Sequence, residues 1–204
     1  MHLIGQKILG VIILILLGLL VAIKWKATGS ILEKPKGNLL LCVVNAFNLF
    51  FLLIVNPLAA ILLVTGRIES VDITFLAINE GWLLMLLEIG GFIFYLSGFI
   101  LMAWALSALN TNYQLGGTTP RAGDTFISSG PYRIVRHPMY TAVLGIALGL
   151  ACLTQSLAFY SVFVIYLVLI IFLIPAEEEG LRQMYGEQYA AYRKKVKRLF
   201  PFIY

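Results

Sequence analysis

The sequence predicts an all-α protein, a polytopic membrane helix bundle of five transmembrane helices with a C-terminal helix hairpin and a cytoplasmic amphipathic helix. Three observations carry that expectation. The chain is 60% apolar and only 12% charged over 204 residues, which is too greasy for an ordinary soluble domain. The apolar residues gather into four stretches, 8–23, 38–64, 81–109 and 139–175. The cations sort onto alternate loops, as the positive-inside rule requires.

A span needs about 20 apolar residues. The first stretch is therefore short, and the second and third are long enough to tilt. No A-x-A-like site follows residues 1–23, and Lys24 and Lys26 flank the run like a stop-transfer signal, so we expect it to be retained. The loop 24–37 is short and basic, with Gly29, Pro35 and Gly37. The second span places Asn45 and Asn48 on one face, with Asn56-Pro57 further on; these read as inter-helix hydrogen bonding and a kink. Glu88 in the third span sits about seven residues from the outer end and reads as near-interfacial.

Residues 110–137 form the longest polar connection, and loops of this length often serve as lids or binding loops. Gly116-Gly117, Pro120 and Gly130-Pro131 exclude one continuous helix across it. The fourth apolar stretch is interrupted by Thr154-Gln155-Ser156, a turn signal. It divides into helices over 139–153 and 157–174, a tight hairpin whose arms reach roughly 22 and 27 Å. Gly145 and Gly149, four apart, permit a close neighbour. After Pro175, Leu181, Tyr185, Tyr189, Tyr192 and Val196 recur on one helical face, with cations around the second half, as in a helix lying at a membrane surface or docked on the bundle.

Five alternating crossings place Lys24, Lys26, Lys34, Lys36, Arg121, Arg133, Arg136, Arg182, Arg193, Lys194, Lys195, Lys197 and Arg198 on one side. Only Lys7 and Arg67 remain for the other. The N-terminus is then outside and the tail cytoplasmic. The pI near 9.2 follows from this sorting and does not argue for nucleic-acid binding. Cys42 and Cys152 lie within apolar spans and read as small core residues, not as a disulfide. His2 and His137 are far apart and no Cys/His cluster suggests a metal.

The chemistry concentrates in GPYRIVRHPMY (130–140) and EEEG (177–180). Taken singly these residues are unremarkable. Arg133 is an interfacial anchor, Tyr132 and Tyr140 suit an aromatic belt, and acids in a first helical turn favour the dipole. The hairpin, however, returns Glu177, Glu178 and Glu179 to the side where His137 begins. Arg136, His137, Tyr140 and carboxylates then share one cytoplasmic mouth, where charge beside hydrocarbon needs a partner or a ligand. A cationic small molecule suits that place.

These residues, followed by YGEQYAAYRKKVKRLFP, resemble the C-terminal half of the isoprenylcysteine carboxyl methyltransferase and phospholipid methyltransferase superfamily. The resemblance covers about residues 115–204, with Tyr185 where the family usually has phenylalanine; it divides the chain into an N-terminal three-helix region, 1–109, and a cofactor-binding region, 110–204. It implies a membrane enzyme that binds S-adenosylmethionine at the cytoplasmic face and methylates a lipophilic or lipid-linked substrate. Carried over by position, Tyr132, His137, Pro138, Met139 and Tyr140 line the cofactor pocket, Glu177 binds the cofactor and Glu178 completes the acidic pair. Phe126 and Ile127 occupy the family's Leu-Val place, and Arg136 is included for an anionic group. Asp124 replaces a common histidine. Leu173 replaces an arginine that contacts substrate in the isoprenylcysteine enzymes. No catalytic base is nominated, because an ionised carboxylate or thiolate acceptor needs none. Two alternatives stand beside this reading. One is an NADPH-dependent membrane reductase of the sterol reductase type, although Thr141-Ala142 stands where those proteins show Gly-Glu; the other is a non-catalytic membrane scaffold.

Overall fold

The computed structural model describes residues 5–29, 39–113 and 123–201, with no strand among them. The expectations for His2, Lys34, Pro35, Lys36, Gly37, Gly116, Gly117, Pro120 and Arg121, and for the side chain of Asn45, lie outside the described residues.

Helix α1, Gln6–Thr28, stops at Gly29, whose left-handed backbone (φ 73°) lets its N–H donate to the Trp25 carbonyl. Helix α2, Leu39–Phe50, passes through a π-helical turn, Phe51–Val55, into α3, Asn56–Thr65. Pro57 brings no N–H to the ladder. The wide turn before it sends the Asn56 N–H back to the Phe51 carbonyl. The kink expected at Asn56-Pro57 is thus a widened turn one residue earlier. A four-residue helix α4, Ile68–Val71, precedes the 29-residue α5, Gly81–Leu109. Helices α6, Pro138–Thr154, and α7, Leu157–Lys195, complete the bundle. Among the described residues, four segments are long and apolar enough to cross a membrane: Gln6–Thr28, Cys42–Thr65, Gly81–Asn112 and Leu157–Lys195. The apolar α6 is shorter, at 17 residues.

The Thr154-Gln155-Ser156 turn is where the sequence puts it. Gln155 is left-handed (φ 52°), and the Ser156 hydroxyl caps α7 by accepting the Phe159 N–H at 3.4 Å. The Leu76 N–H donates to Gln155 O (2.8 Å) and the Leu157 N–H to Thr74 O (3.1 Å), so the chain after α4 clasps this turn.

The restart expected at Pro175 does not occur. Pro175 is exposed on α7, and the helix runs on through it. A single missing hydrogen bond is tolerated. The break falls at Gly186 instead (φ 49°, ψ −124°), a conformation a side chain would resist. The segment expected as a separate helix thus begins as a continuation of α7 past Pro175 and resumes beyond the kink at Gly186 as a second helical stretch ending at Lys195.

A close seam joins α5 to α6. A Cβ on Gly149 would stand 2.5 Å from the Tyr95 nitrogen and 2.7 Å from the Gly91 carbonyl, and one on Gly98 would stand 2.7 Å from the Ala142 carbonyl. Positions rising along α5 meet positions falling along α6, so the pair is antiparallel. Small residues permit this approach where lipid tails give helices no hydrophobic incentive to associate. Gly145 likewise faces the Phe94 carbonyl at 3.2 Å. Beside this seam the Tyr95 hydroxyl donates to Asn56 Oδ1 at 3.0 Å, tying α5 to α3. Glu88 is buried (5% exposed) rather than at an open interface. Tyr166 of α7 packs edge-on against Phe47 and Phe51, which brings α2 alongside.

Candidate functional site

The site forms where α6 begins. The first N–H groups of a helix have no partner within it. Here the tail supplies acceptors just upstream of α6: the Arg136 N–H donates to Lys197 O (2.7 Å) and the His137 N–H to Arg198 O (3.0 Å). The Thr141 hydroxyl donates to Leu199 O (2.8 Å). Residues 197–199 are thus laid along 135–141 by backbone bonds.

Glu177 and Glu178 divide the carboxylate work. Adjacent helical residues point about 100° apart. Glu178, 3% exposed, turns toward the tail. Its Oε1 accepts Arg136 Nη2 at 2.6 Å and Nε at 2.9 Å, its Oε2 accepts Arg198 Nη2 at 3.1 Å, and His137 Nε2 lies 3.3 Å away. Arg136 also donates through Nη1 to the carbonyls of Arg193 and Val196. This buried knot locks α6, α7 and the tail together.

Glu177 faces the other way, onto a cavity of about 420 Å³. Its Oε2 accepts the Tyr140 hydroxyl at 2.8 Å, with His137 Nδ1 at 3.7 Å. The His137 ring stacks on Tyr140, with centroids 5.5 Å apart and planes 17° apart. Tyr132, 9% exposed, lines the same cavity. Burial, and after it the charge of Glu177, pushes its hydroxyl well above the ordinary tyrosine range. It therefore stays protonated and can serve as a donor, not a base.

Of the sequence-nominated residues, Phe126, Ile127, Tyr132, Arg136, His137, Pro138, Met139, Tyr140 and Glu177 all line this cavity. Glu178 does not, and the guanidinium of Arg136 is committed to Glu178 and the tail. Leu173 packs away from the cavity with Val44, Tyr140 and Leu169.

Sequence reasoning missed two walls. Leu181, Tyr185, Tyr189 and Tyr192 line the cavity; their helical spacing was legible, but not the direction they face. Three of them surround Phe126, at ring distances of 5.1, 6.1 and 5.2 Å for Tyr185, Tyr189 and Tyr192. The Tyr185 hydroxyl donates to Asp124 O and the Tyr192 hydroxyl to Tyr132 O, pinning residues 124–132 onto α7. The other missed wall comes from the N-terminal helices, including Lys24, Asn48 and Leu52. Hydropathy alone carried no signal for it.

A single cavity therefore joins an aromatic and acidic end to an apolar arm. Cavities of this size hold cofactors and other small molecules. An open-sided carboxylate among aromatic rings suits an organic cation.

The cobalt-zinc-cadmium resistance protein CzcN of Cupriavidus metallidurans is 31% identical to the chain over 81 residues, 40% of this chain. The match spans 38% of the length of that relative. A family model described as phospholipid methyltransferase matches residues 86–188, which takes in α5 from its second turn, all of α6 and α7 through Glu177 and Glu178. With half of its length matched, and with the residues around the cavity mouth inside the match, the chain belongs to the phospholipid methyltransferase family.

Proposed function

We propose that the chain is an integral-membrane S-adenosylmethionine-dependent methyltransferase acting on a lipophilic or amphiphilic substrate, in the manner of the isoprenylcysteine carboxyl methyltransferases. The observation that carries this reading is Glu177, held by Tyr140 beside His137 on the wall of a cavity lined largely by aromatic and apolar groups. The donor set fits a cationic methyl donor: an anionic oxygen with room for further donors, flat rings, and a volume of about 420 Å³. Family membership favours methyl transfer over the reductase alternative.

When bound, S-adenosylmethionine supplies an electrophilic methyl group on a sulfonium. The chain's own residues then do three things. Glu177, oriented by the Tyr140 hydroxyl, attracts the positive end of the donor. Phe126, Tyr132, Tyr185, Tyr189 and Tyr192, which line the cavity, would exclude water around it, which strengthens that attraction. The apolar arm would hold the acceptor beside the methyl group, and positioning of this kind removes much of the barrier.

The same reading assigns topology. Helix α6 is about 26 Å long by its rise, enough for a fifth, slightly thin crossing. The N-terminus is then outside, and the tail with its cations is cytoplasmic. The segment 1–109 builds the acceptor wall and 110–204 the donor end.

Titration of S-adenosylmethionine and its demethylated product into the purified protein tests the proposal. Micromolar to sub-millimolar binding of both is expected, and no binding of either at millimolar levels sinks it. Glu177→Gln keeps the shape but removes the charge. A hydrogen bond to a charged group is worth about 1.5–3 kcal/mol. Donor affinity should therefore fall about 10- to 100-fold in the variant while its melting temperature stays close to that of the parent. Unchanged affinity would remove Glu177 from the site.

A further inference from the structure

The tail that floors the pocket turns a second face outward. Its carbonyls at residues 197–199 accept the Arg136 N–H, the His137 N–H and the Thr141 hydroxyl, so it lies level with the first turn of α6. Glu177 meets Tyr140 at the same level, and it is the first charged residue of α7 after the uncharged run 157–176. This is the height at which hydrocarbon gives way to headgroups. Lys197 is exposed there. So are Lys194 and Lys195 just before it, and Arg133, two residues from the Val135–Lys197 pairing. Among the described residues, none of these four cations takes part in an ion pair. No acid occurs in residues 188–204 to balance them. Ile134 and Phe200 stand exposed among them, at 48% and 44%. Cations in the last turn of a helix complement its dipole, which accounts for Lys194 and Lys195. It does not account for Lys197 and Arg133, which lie outside α7, or for two bare apolar side chains beside them.

We propose that Arg133, Lys194, Lys195 and Lys197, with Ile134 and Phe200 among them, form a docking surface for an anionic membrane surface, and that this docking holds the tail against the pocket. None of the six lines the cavity, so the surface is separate from the place of donor and acceptor. Each lysine or arginine close to an anionic leaflet strengthens attachment about fivefold. Apolar side chains at that height enter the boundary between headgroups and acyl chains. The inner face of the tail rests on a few hydrogen bonds, a small number against local opening. Fixing the outer face to headgroups removes that freedom, and with it the movement of the floor beneath His137. The coupling rests on the methyltransferase reading only for the ligand that probes the pocket.

The test places the full chain in nanodiscs of phosphatidylcholine alone or with about 30% phosphatidylglycerol, which supplies the anionic leaflet. Hydrogen exchange of the amides of residues 194–200 reads the tail, and S-adenosylhomocysteine affinity reads the pocket. Exchange should be about tenfold slower in the anionic discs, and about 0.5 M salt should erase the difference. S-adenosylhomocysteine should bind about three- to tenfold more tightly in the anionic discs. The triple variant Lys194→Gln, Lys195→Gln, Lys197→Gln should lose both effects, and the corresponding triple arginine variant should keep them. Equal exchange of the parent in the two discs overturns the proposal, as does a difference that survives salt or the triple glutamine variant. Slower exchange with unchanged S-adenosylhomocysteine affinity supports the docking surface and overturns its coupling to the pocket. No S-adenosylhomocysteine binding in either disc would sink the methyltransferase reading, and the exchange rates would still decide the docking surface.

Discussion

Arg136→Ala should be the most damaging single change of a charged residue in this protein. The substitution removes both guanidinium bonds to Glu178 and the two to the tail carbonyls of Arg193 and Val196. It also leaves a carboxylate that is 3% exposed with only Arg198 and His137 for company. Breaking a buried pair by deleting one partner costs about 3–5 kcal/mol, which for a chain of this size lowers the melting temperature by on the order of 10 °C. The loss should be local first. Trypsin should cut after Lys194, Lys195 and Lys197 faster in the variant, before the bundle itself melts. Arg136→Lys should rescue little, because an ammonium cannot span a carboxylate and two carbonyls as a planar fork does. Removing both charges, in Arg136→Met with Glu178→Met, should cost less than Arg136→Ala alone. A variant Arg136→Ala with parental melting temperature and tail protection would dissolve the knot described above.

Gly149→Leu should prevent recovery of folded protein. The new Cβ would lie 2.5 Å from Tyr95 N, 2.7 Å from Gly91 O and 2.8 Å from Tyr95 Cα. These are backbone atoms, which cannot rotate aside as a side chain can, so α5 and α6 must separate. Overpacking a core costs about 1–3 kcal/mol when neighbours can adjust, and more when they cannot. Separation would also pull Tyr95 from Asn56, which is fully buried. Gly90→Leu is the control, since a Cβ there meets nothing within 4 Å. Detergent-extracted Gly149→Leu should run as aggregate on size exclusion, while Gly90→Leu should match the parent. Equal behaviour of the two variants would contradict the seam.

Much of this architecture was legible in the sequence because lipid imposes simple rules. Apolar runs marked the spans, and Gln155 with Ser156 marked the hairpin turn. The gathering of His137, Tyr140 and Glu177 followed from the hairpin alone, and these side chains do meet. Three features were not legible, each for a physical reason. Pro175 reads as a helix start in water, but on an exposed face of a long helix it is tolerated, so the discontinuity moved to Gly186. Glu177 and Glu178 looked like one acidic pair, yet neighbouring helical positions diverge, and only one meets the cavity. Arg136 looked available for a ligand. Its engagement depends on a tail some sixty residues away, brought alongside by the Val135–Lys197 pairing, and nothing local announces that.

That pairing has a consequence for biogenesis. Polypeptides leave the ribosome in order, and early segments fold while later ones are still being made. The spans can enter the bilayer in sequence, yet the floor beneath His137 is laid only when Lys197, Arg198 and Leu199 emerge. A nascent chain stalled at Tyr192 would hold the helices described above, α7 short of its last residues, and still lack that floor. The floor of the pocket is thus completed only once residues 197–199 have been made, later than the helices that form its walls.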